Sequence, residues 1–272
     1  MSFLVNPYWY GCGDADANAF LTAAGITDAT ISQAICTLVT SMKANGTWAK
    51  CSAIYPFVGG TATTHRWNLK DPRDLNAAFR LSFIGGWTHS SNGALPNGTN
   101  AYADSFLIPN ISLTANSGHL SYYTRTNSAF TSEIPMGVSG SLGGTGFDIV
   151  IRRPGNTNRF LSSESSGVTG IVTSTSTDSR GLTTGSITSS SSRKIYKNGT
   201  LLNTNSSTIT WARNTFSIFI GAINISDNVT GPNFYTNKQC SFASIGIGLT
   251  DGEAAALYTA VQAFQTTLSR QV

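Results

Sequence analysis

The sequence predicts a mainly-β fold, a two-sheet antiparallel sandwich over residues 51–272, with an N-terminal helical hairpin before it and a C-terminal helix closing it. Three observations predict this. From Cys51 onward, short runs rich in β-branched and aromatic residues are separated by turn residues every ten to twenty positions or so. Residues 14–46 and 250–268 instead repeat apolar side chains at the helical period. Asn198-Gly199, between two such runs, supplies the positive φ angles of a tight hairpin.

Residues 1–50 divide into an aromatic arm (1–13) and the hairpin. Asp14 caps a first helix carrying Ala17, Phe20, Leu21 and Ala24, and Gly25 stops it. A second helix starts near Thr27 or Asp28, buries Ile31, Ile35, Leu38, Val39 and Met42, and ends at Asn45-Gly46. Strands follow at 53–58, 78–83, 101–108, 119–126, 134–138, 147–152, 170–175, 194–197, 216–221 and 239–245. Tyr122 and Tyr123 must point to opposite faces, which assigns one of them to the core. Residues 162–192 are dominated by Ser, Thr and Gly. Ile171, Val172 and Leu182 recur there as buried-type positions, which reads as polar-faced strands rather than a linker. Thr250-Asp-Gly-Glu253 is a capping box, and Ala254, Leu257, Tyr258, Val261, Phe264 and Leu268 form one stripe of a helix of about eighteen residues.

Composition narrows the function. Only 11% of residues are charged, with a net charge of +4, and 40% are hydrophobic. The chain is too apolar for disorder and has no uninterrupted membrane-spanning run. Its small, scattered basic excess gives no nucleic-acid footprint. The first ten residues lack the basic start and long apolar core of a signal peptide. Cys12, Cys36, Cys51 and Cys240 are widely spaced without a C-x-x-C, and read as buried free thiols. A surface of neutral hydroxyls and amides suits an extracellular particle, a sugar-facing protein, or close packing of identical copies.

Three stretches resemble one family. Pro96-Asn-Gly-Thr-Asn-Ala-Tyr-Ala-Asp104, Ile195-Tyr-Lys-Asn-Gly-Thr-Leu-Leu202 and Phe242-Ala-Ser-Ile-Gly-Ile-Gly-Leu-Thr-Asp-Gly-Glu253 are similar to the opening strand, a later hairpin and the closing strand with its helix cap in laminin-G-like, concanavalin-like lectin and glucanase modules. The resemblance implies a jelly-roll sandwich, and allows a calcium ion at a loop edge with Asp104, Asp178 and Asp227 as donors; no other cofactor is implied. Tyr55-Pro-Phe-Val-Gly-Gly, Asn68-Leu-Lys-Asp-Pro-Arg73, Gly85-Gly-Trp-Thr-His-Ser90 and the last helix resemble proteins encoded by tailed bacteriophages and prophages of Bacteroidetes. That resemblance implies a virion protein, made in the host cytoplasm, as a tail, fibre or capsid-surface component.

The chemistry-bearing residues are sparse. Glucanases of this fold place paired carboxylates on one strand as E-x-D-x-E. Here the only glutamates are Glu133, Glu164 and Glu253; the first two have no acidic neighbour within five residues, and Glu253, next to Asp251, is already the capping-box residue of the last helix. Asp14 and Asp16 sit at a helix N-terminus, where negative charge is favourable anyway. Asp71 and Asp74 lie beside Lys70 and Arg73 and read as a salt-bridged turn. His65, His89 and His119 are scattered and read as structural. Trp87, Trp67 and Tyr102 are candidates for a sugar-stacking platform, Trp87 first because its flanks are loop-like. Phe3, Tyr8, Trp9 and Tyr10 are too apolar for a free terminus and read as a docking arm. The expected function is a non-catalytic virion structural or adhesion protein, partnered by other virion proteins and copies of itself. The alternative is a lectin for a host surface glycan.

Overall fold

A computed structural model describes residues 12–129, 132–140, 145–162, 170–225 and 231–272. The helical hairpin forms as expected. In α1 (Ala15–Ala24) the Asp14 carboxylate accepts from the amides of Asp16 and Ala17, and Gly25 ends the helix at φ 64°. In α2 (Ala29–Ala44) Asp28 accepts from the Ile31 amide. A single turn, α3 (Thr47–Lys50), leads into β1 (Cys51–Tyr55). Two further turns, α4 (Ala62–His65) and α5 (Pro109–Ser112), interrupt the sandwich, and α6 (Asp251–Thr267) starts from the Thr250–Glu253 capping box.

Among the described residues the strands form two sheets. The first runs β13 (Thr200–Asn205), β12 (Ser192–Lys197), β11 (Gly181–Ser189), β6 (Gly118–Thr124), β17 (Cys240–Gly246), β4 (Gly93–Pro96) and β3 (Trp87–Ser90), with β1 also paired to β17. The second runs β10 (Ile171–Thr175), β9 (Thr157–Ser162), β8 (Gly146–Arg153), β7 (Met136–Ser139), β14 (Phe219–Ile220), β5 (Tyr102–Asp104) and β2 (Ser82–Ile84). Beside it, β15 (Ile223–Ile225) joins β7 in a parallel pairing and β16 (Gly231–Asn233) in an antiparallel one. Successive segments cross between sheets in the jelly-roll manner, as from β10 to β11 and from β16 to β17.

Alternation along each strand builds two cores. Leu120, Tyr122, Ala243, Ile245 and Ile195 face Phe147, Ile149, Phe160 and Ile220 across the sandwich. The opposite face of the first sheet presents Ile54, Tyr123, Leu182, Tyr196 and Phe242 to Phe20, Ile35, Val39, Leu257 and Phe264 of α1, α2 and α6. The molecule therefore has three layers. Tyr122 and Tyr123 do point to opposite faces, yet both are fully buried, because helices cover the face that the sequence alone left to solvent.

The sandwich ends are closed by buried cations. Arg193 donates to the Ser162 hydroxyl (2.9 Å) and to the carbonyls of Ser190 (2.8 Å) and Ile209 (2.5 Å), stitching the sheets together. Arg270 donates to the carbonyls of Pro56, Phe57 and Ser241 and to the Gln265 side chain. At one edge, Asn203 and Asn205 donate to the Thr173 and Ile171 carbonyls, both at 2.7 Å, so β13 of one sheet is seamed to β10 of the other.

Several expectations are corrected. Cys12 and Cys36 are not free thiols: they form a disulfide with Cα atoms 5.7 Å apart, because the hairpin lays the segment leading into α1 against α2. Cys51 and Cys240 are free and buried. The expected strand 101–108 ends at Asp104, where Phe106 takes φ 56° and its amide donates to the Asp104 carboxylate. The stretch holding Trp87 is not a loop but the hairpin β3–β4. Within 162–192 the described residues include β10 and β11, so strands rather than a linker occupy them.

Candidate functional site

A cleft of about 460 Å³ opens where the Asn203–Asn205 seam ends, between the β10–β11 connection and the β12–β13 turn. Thr175, Ser176 and Thr177 supply hydroxyls to its wall, and Asp178, Arg180 and Lys197 supply charge. Asn198 and Val272 complete the lining. The connection is rigidly held. The Ser176 amide donates to Asn156 O at 2.7 Å, its hydroxyl to Asp178 O at 2.7 Å, and the Ser179 hydroxyl to Thr126 O at 2.8 Å. On the other side, Asn198 and Gly199 both take positive φ, 49° and 73°, as a primed hairpin turn requires. Asn198 Oδ1 accepts from the Leu182 amide at 2.9 Å, which fixes the turn against β11.

The charged groups differ in their engagement. Arg180 chelates Asp178 through Nε (3.1 Å) and Nη2 (2.8 Å), and this hydrogen bonding holds the carboxyl below the usual carboxylate range. Both side chains remain nearly half exposed, so the pair presents a fixed donor–acceptor edge to solvent. Lys197 projects from β12 toward the sandwich interior, where Nζ donates to Ser179 O at 2.8 Å and contacts Thr183 Oγ1 at 3.4 Å. Burial pushes its ammonium down to about 7. Sequence reasoning flagged Asp178 alone in this cleft. Lys197 carries no local signal, since only strand pairing brings it beside residues 175–180.

None of the three proposed stacking residues lines the cleft. Trp87 spends its indole N–H on the Ile84 and Tyr102 carbonyls, both at 3.1 Å, and meets Phe83 edge-on at 5.3 Å. Trp67 packs against the helical layer beneath Arg66, 5.2 Å away. Tyr102 stacks on Phe219 at 4.7 Å on the outer face of the second sheet. Asp104 lies on that face too, and burial raises its carboxyl. β5, which carries Asp104, lies five strand spacings, roughly 24 Å, across the sheet from β10, and Asp178 lies in the connection beyond β10. With Asp178 already chelated by Arg180, these two donors do not fit one calcium ion. Among the described residues no three His, Cys, Asp or Glu side chains are grouped for a metal. Asp227, Glu164 and the arm residues Phe3, Tyr8, Trp9 and Tyr10 lie outside the described residues.

Two histidine contacts were not legible in the sequence. His65 and His89 meet through their Nδ1 atoms at 2.9 Å, and burial pushes His65 down to about 3. His119 sits with Ser244 and Cys51 beneath the helical layer, with all three buried. The acidic pairs are engaged: Lys43 bridges Asp14 and Asp16 at 2.6 Å each. Asp71 pairs with Arg73 as expected, whereas Asp74 reaches to Arg66 and Arg80 instead.

No family model and no curated protein matches the chain. Among solved structures, domain 4 of AbnA, a GH43 extracellular arabinanase from Geobacillus stearothermophilus in complex with arabinotriose, is similar over 76% of this chain and 98% of that domain, at 16% identity and a TM-score of 0.48. The Ruminococcus gnavus IT-sialidase CBM40 bound to α2,3 sialyllactose covers 53% of this chain and 82% of its own, at 13% identity and a TM-score of 0.40. The binding domain of botulinum neurotoxin serotype D is similar over 80% of this chain, at 9% identity and a TM-score of 0.49. The chain spans about half (52%) of that toxin domain's length. Likenesses this distant concern architecture and carry nothing about the cleft.

Proposed function

We propose that the chain is a non-catalytic glycan-binding module that receives carbohydrate in the cleft beside Asp178 and Arg180. The observation that carries this reading is the lining itself. Three consecutive hydroxyl residues stand next to a chelated Asp–Arg pair whose orientation is fixed before any ligand arrives, and such preorganisation suits vicinal sugar hydroxyls. The described carboxylates support binding over hydrolysis. Asp178, held ionised by Arg180, is no general acid. Glu133 is buried against Lys238, and Glu253 caps α6. Asp104 and Asp148 share the outer face of the second sheet, but β14 and β7 lie between β5 and β8, a separation of three strand spacings, roughly 14 Å and beyond the reach of paired-carboxylate chemistry.

A glycan array probed with the whole chain tests the reading. Retention of at least one oligosaccharide, lost in Asp178→Asn and Arg180→Ala but kept in Trp87→Ala, is the expected result. Binding indifferent to Asp178 and Arg180, an array on which nothing is retained, or turnover of any polysaccharide overturns it.

The setting proposed for this binding is the outside of a virion, where the chain acts as a structural or adhesion subunit beside other virion proteins and its own copies. Its support is the resemblance to tailed-phage proteins together with the Cys12–Cys36 disulfide, since disulfides persist on particle and cell surfaces rather than in reducing cytosol. Mass spectrometry of purified particles tests it, and particles lacking the chain overturn it.

A further inference from the structure

Four cations cluster at the cleft end of the sandwich, Arg152, Arg180, Lys197 and Lys238, against two carboxylates, Glu133 and Asp178. Both carboxylates are already taken, Glu133 by Lys238 and Asp178 by Arg180. That leaves two cations hydrogen-bonded only to neutral oxygens among the described residues. Lys197 has Ser179 O and Thr183 Oγ1; Arg152 has Asn127 Oδ1 at 2.5 Å and Asn156 Oδ1 at 3.2 Å. The two are tied into one network, because Asn127 Oδ1 also accepts from the Ser179 amide at 3.2 Å.

Lys197 is drawn partly out of water with only the charge of Asp178, itself chelated by Arg180, to offset it, and a buried cation so weakly compensated is costly. Arg152 lies behind the Asn127–Ser179 network, whereas Lys197 lines the cleft. We infer that the cleft takes a carboxylate-bearing sugar, a uronic acid or its glycoside, whose anionic group seats against the Lys197 ammonium while its hydroxyls meet Thr175, Ser176 and Thr177. The proposal rests on the glycan-binding reading above and narrows it to acidic sugars. The depressed ammonium agrees, since an arriving anion restores the charge that burial disfavours. Asp178 on the same wall sets the ligand's charge: it tolerates one negative charge beside Lys197 and repels a doubly charged phosphate.

The test compares three probes on the whole chain near neutral pH by ligand-observed NMR: D-glucuronate, D-glucose, in which a hydroxymethyl group replaces the carboxylate, and inorganic phosphate. Glucuronate is expected to bind at least about tenfold more tightly than glucose and than phosphate. In Lys197→Gln that preference should fall to within about twofold, and in Lys197→Arg, which keeps the charge, it should persist. Equal binding of glucuronate and glucose overturns the inference and leaves the glycan-binding reading standing. Phosphate binding as well as glucuronate overturns it in favour of a general anion site. A preference untouched by Lys197→Gln places the anion elsewhere and overturns it; failure of glucuronate to bind overturns the inference, while the glycan array alone decides the glycan-binding reading. The wild-type comparison needs no variant, so a misfolded Lys197→Gln does not rescue the inference.

Discussion

The Ser244 hydroxyl lies 3.1 Å from His119 Nε2, and His119 Nδ1 lies 2.6 Å from the carbonyl oxygen of Ile247. A carbonyl only accepts, so Nδ1 carries the proton and Nε2 accepts from Ser244. This is the tautomer of a general base with its serine. Both residues are nonetheless fully buried under the helical layer, where no substrate reaches them. The pair joins β6 to β17; it does not face a ligand.

If the pair is structural, Ser244 is inert. A fluorophosphonate probe should add no mass at Ser244 in the folded protein, and Ser244→Ala should cost about 1–3 kcal/mol by leaving buried Nε2 only the weak, distant Cys51 thiol at 3.9 Å. Labelling at Ser244 would contradict the assignment.

His119 also sets an acid dependence. Burial pushes its imidazole from 6.5 down to about 4. Between those values the unfolded chain binds the proton and the folded chain does not, so stability is full above the upper value and falls as pH drops through the window. His65, pushed to about 3, acts in the same direction. Unfolding free energies from urea titrations at about pH 7.5 and pH 5 should differ by roughly 2 kcal/mol per histidine, and His119→Gln should flatten the slope by its share.

The Cys12–Cys36 disulfide closes a loop of 24 residues in sequence separation across the helical hairpin. Opening it frees the unfolded chain, so Cys36→Ser or full reduction should lower stability by about 3 kcal/mol. Alkylation of the denatured, unreduced protein should modify two cysteines; modification of all four would show that the bridge does not form.

Gly185 on β11 is a point of close approach between the sheets. A Cβ there would sit 2.1 Å from Cδ2 of Phe160, which stands on β9 across the core. Gly185→Ala should therefore destabilise by about 1–3 kcal/mol through overpacking, and trimming the partner in Gly185→Ala/Phe160→Leu should recover part of that loss. Denaturant titration of the three variants measures both.

Some of the fold was legible because its signals are local. The Asp14 cap, the Gly25 stop, the Thr250–Glu253 box and the Asn198-Gly199 turn each depend on residues no more than four positions apart, and all four formed as read. Strand limits were less legible. Residues 101–108 read as one strand, but the Asp104 carboxylate captures the Phe106 amide and turns the chain. The hairpin β3–β4 went unread because the flanks of Trp87 look loop-like and each of its strands is only four residues long. Of the candidate site, Asp178 was picked out for a different ligand and Lys197 not at all.

The sequence by itself determined a two-sheet sandwich between terminal helices, because alternation, periodicity and caps are written into neighbouring residues. Only the tertiary structure decided that Tyr122 and Tyr123 are both interior, that Cys12 meets Cys36, and that Lys197 stands in a cleft while the nearest carboxylates belong to other cations. Covering a face or balancing a charge depends on what approaches through space. Those partners arrive from 24 residues away at the disulfide and 105 at the Glu133–Lys238 pair, distances over which a chain carries no local record of its contacts.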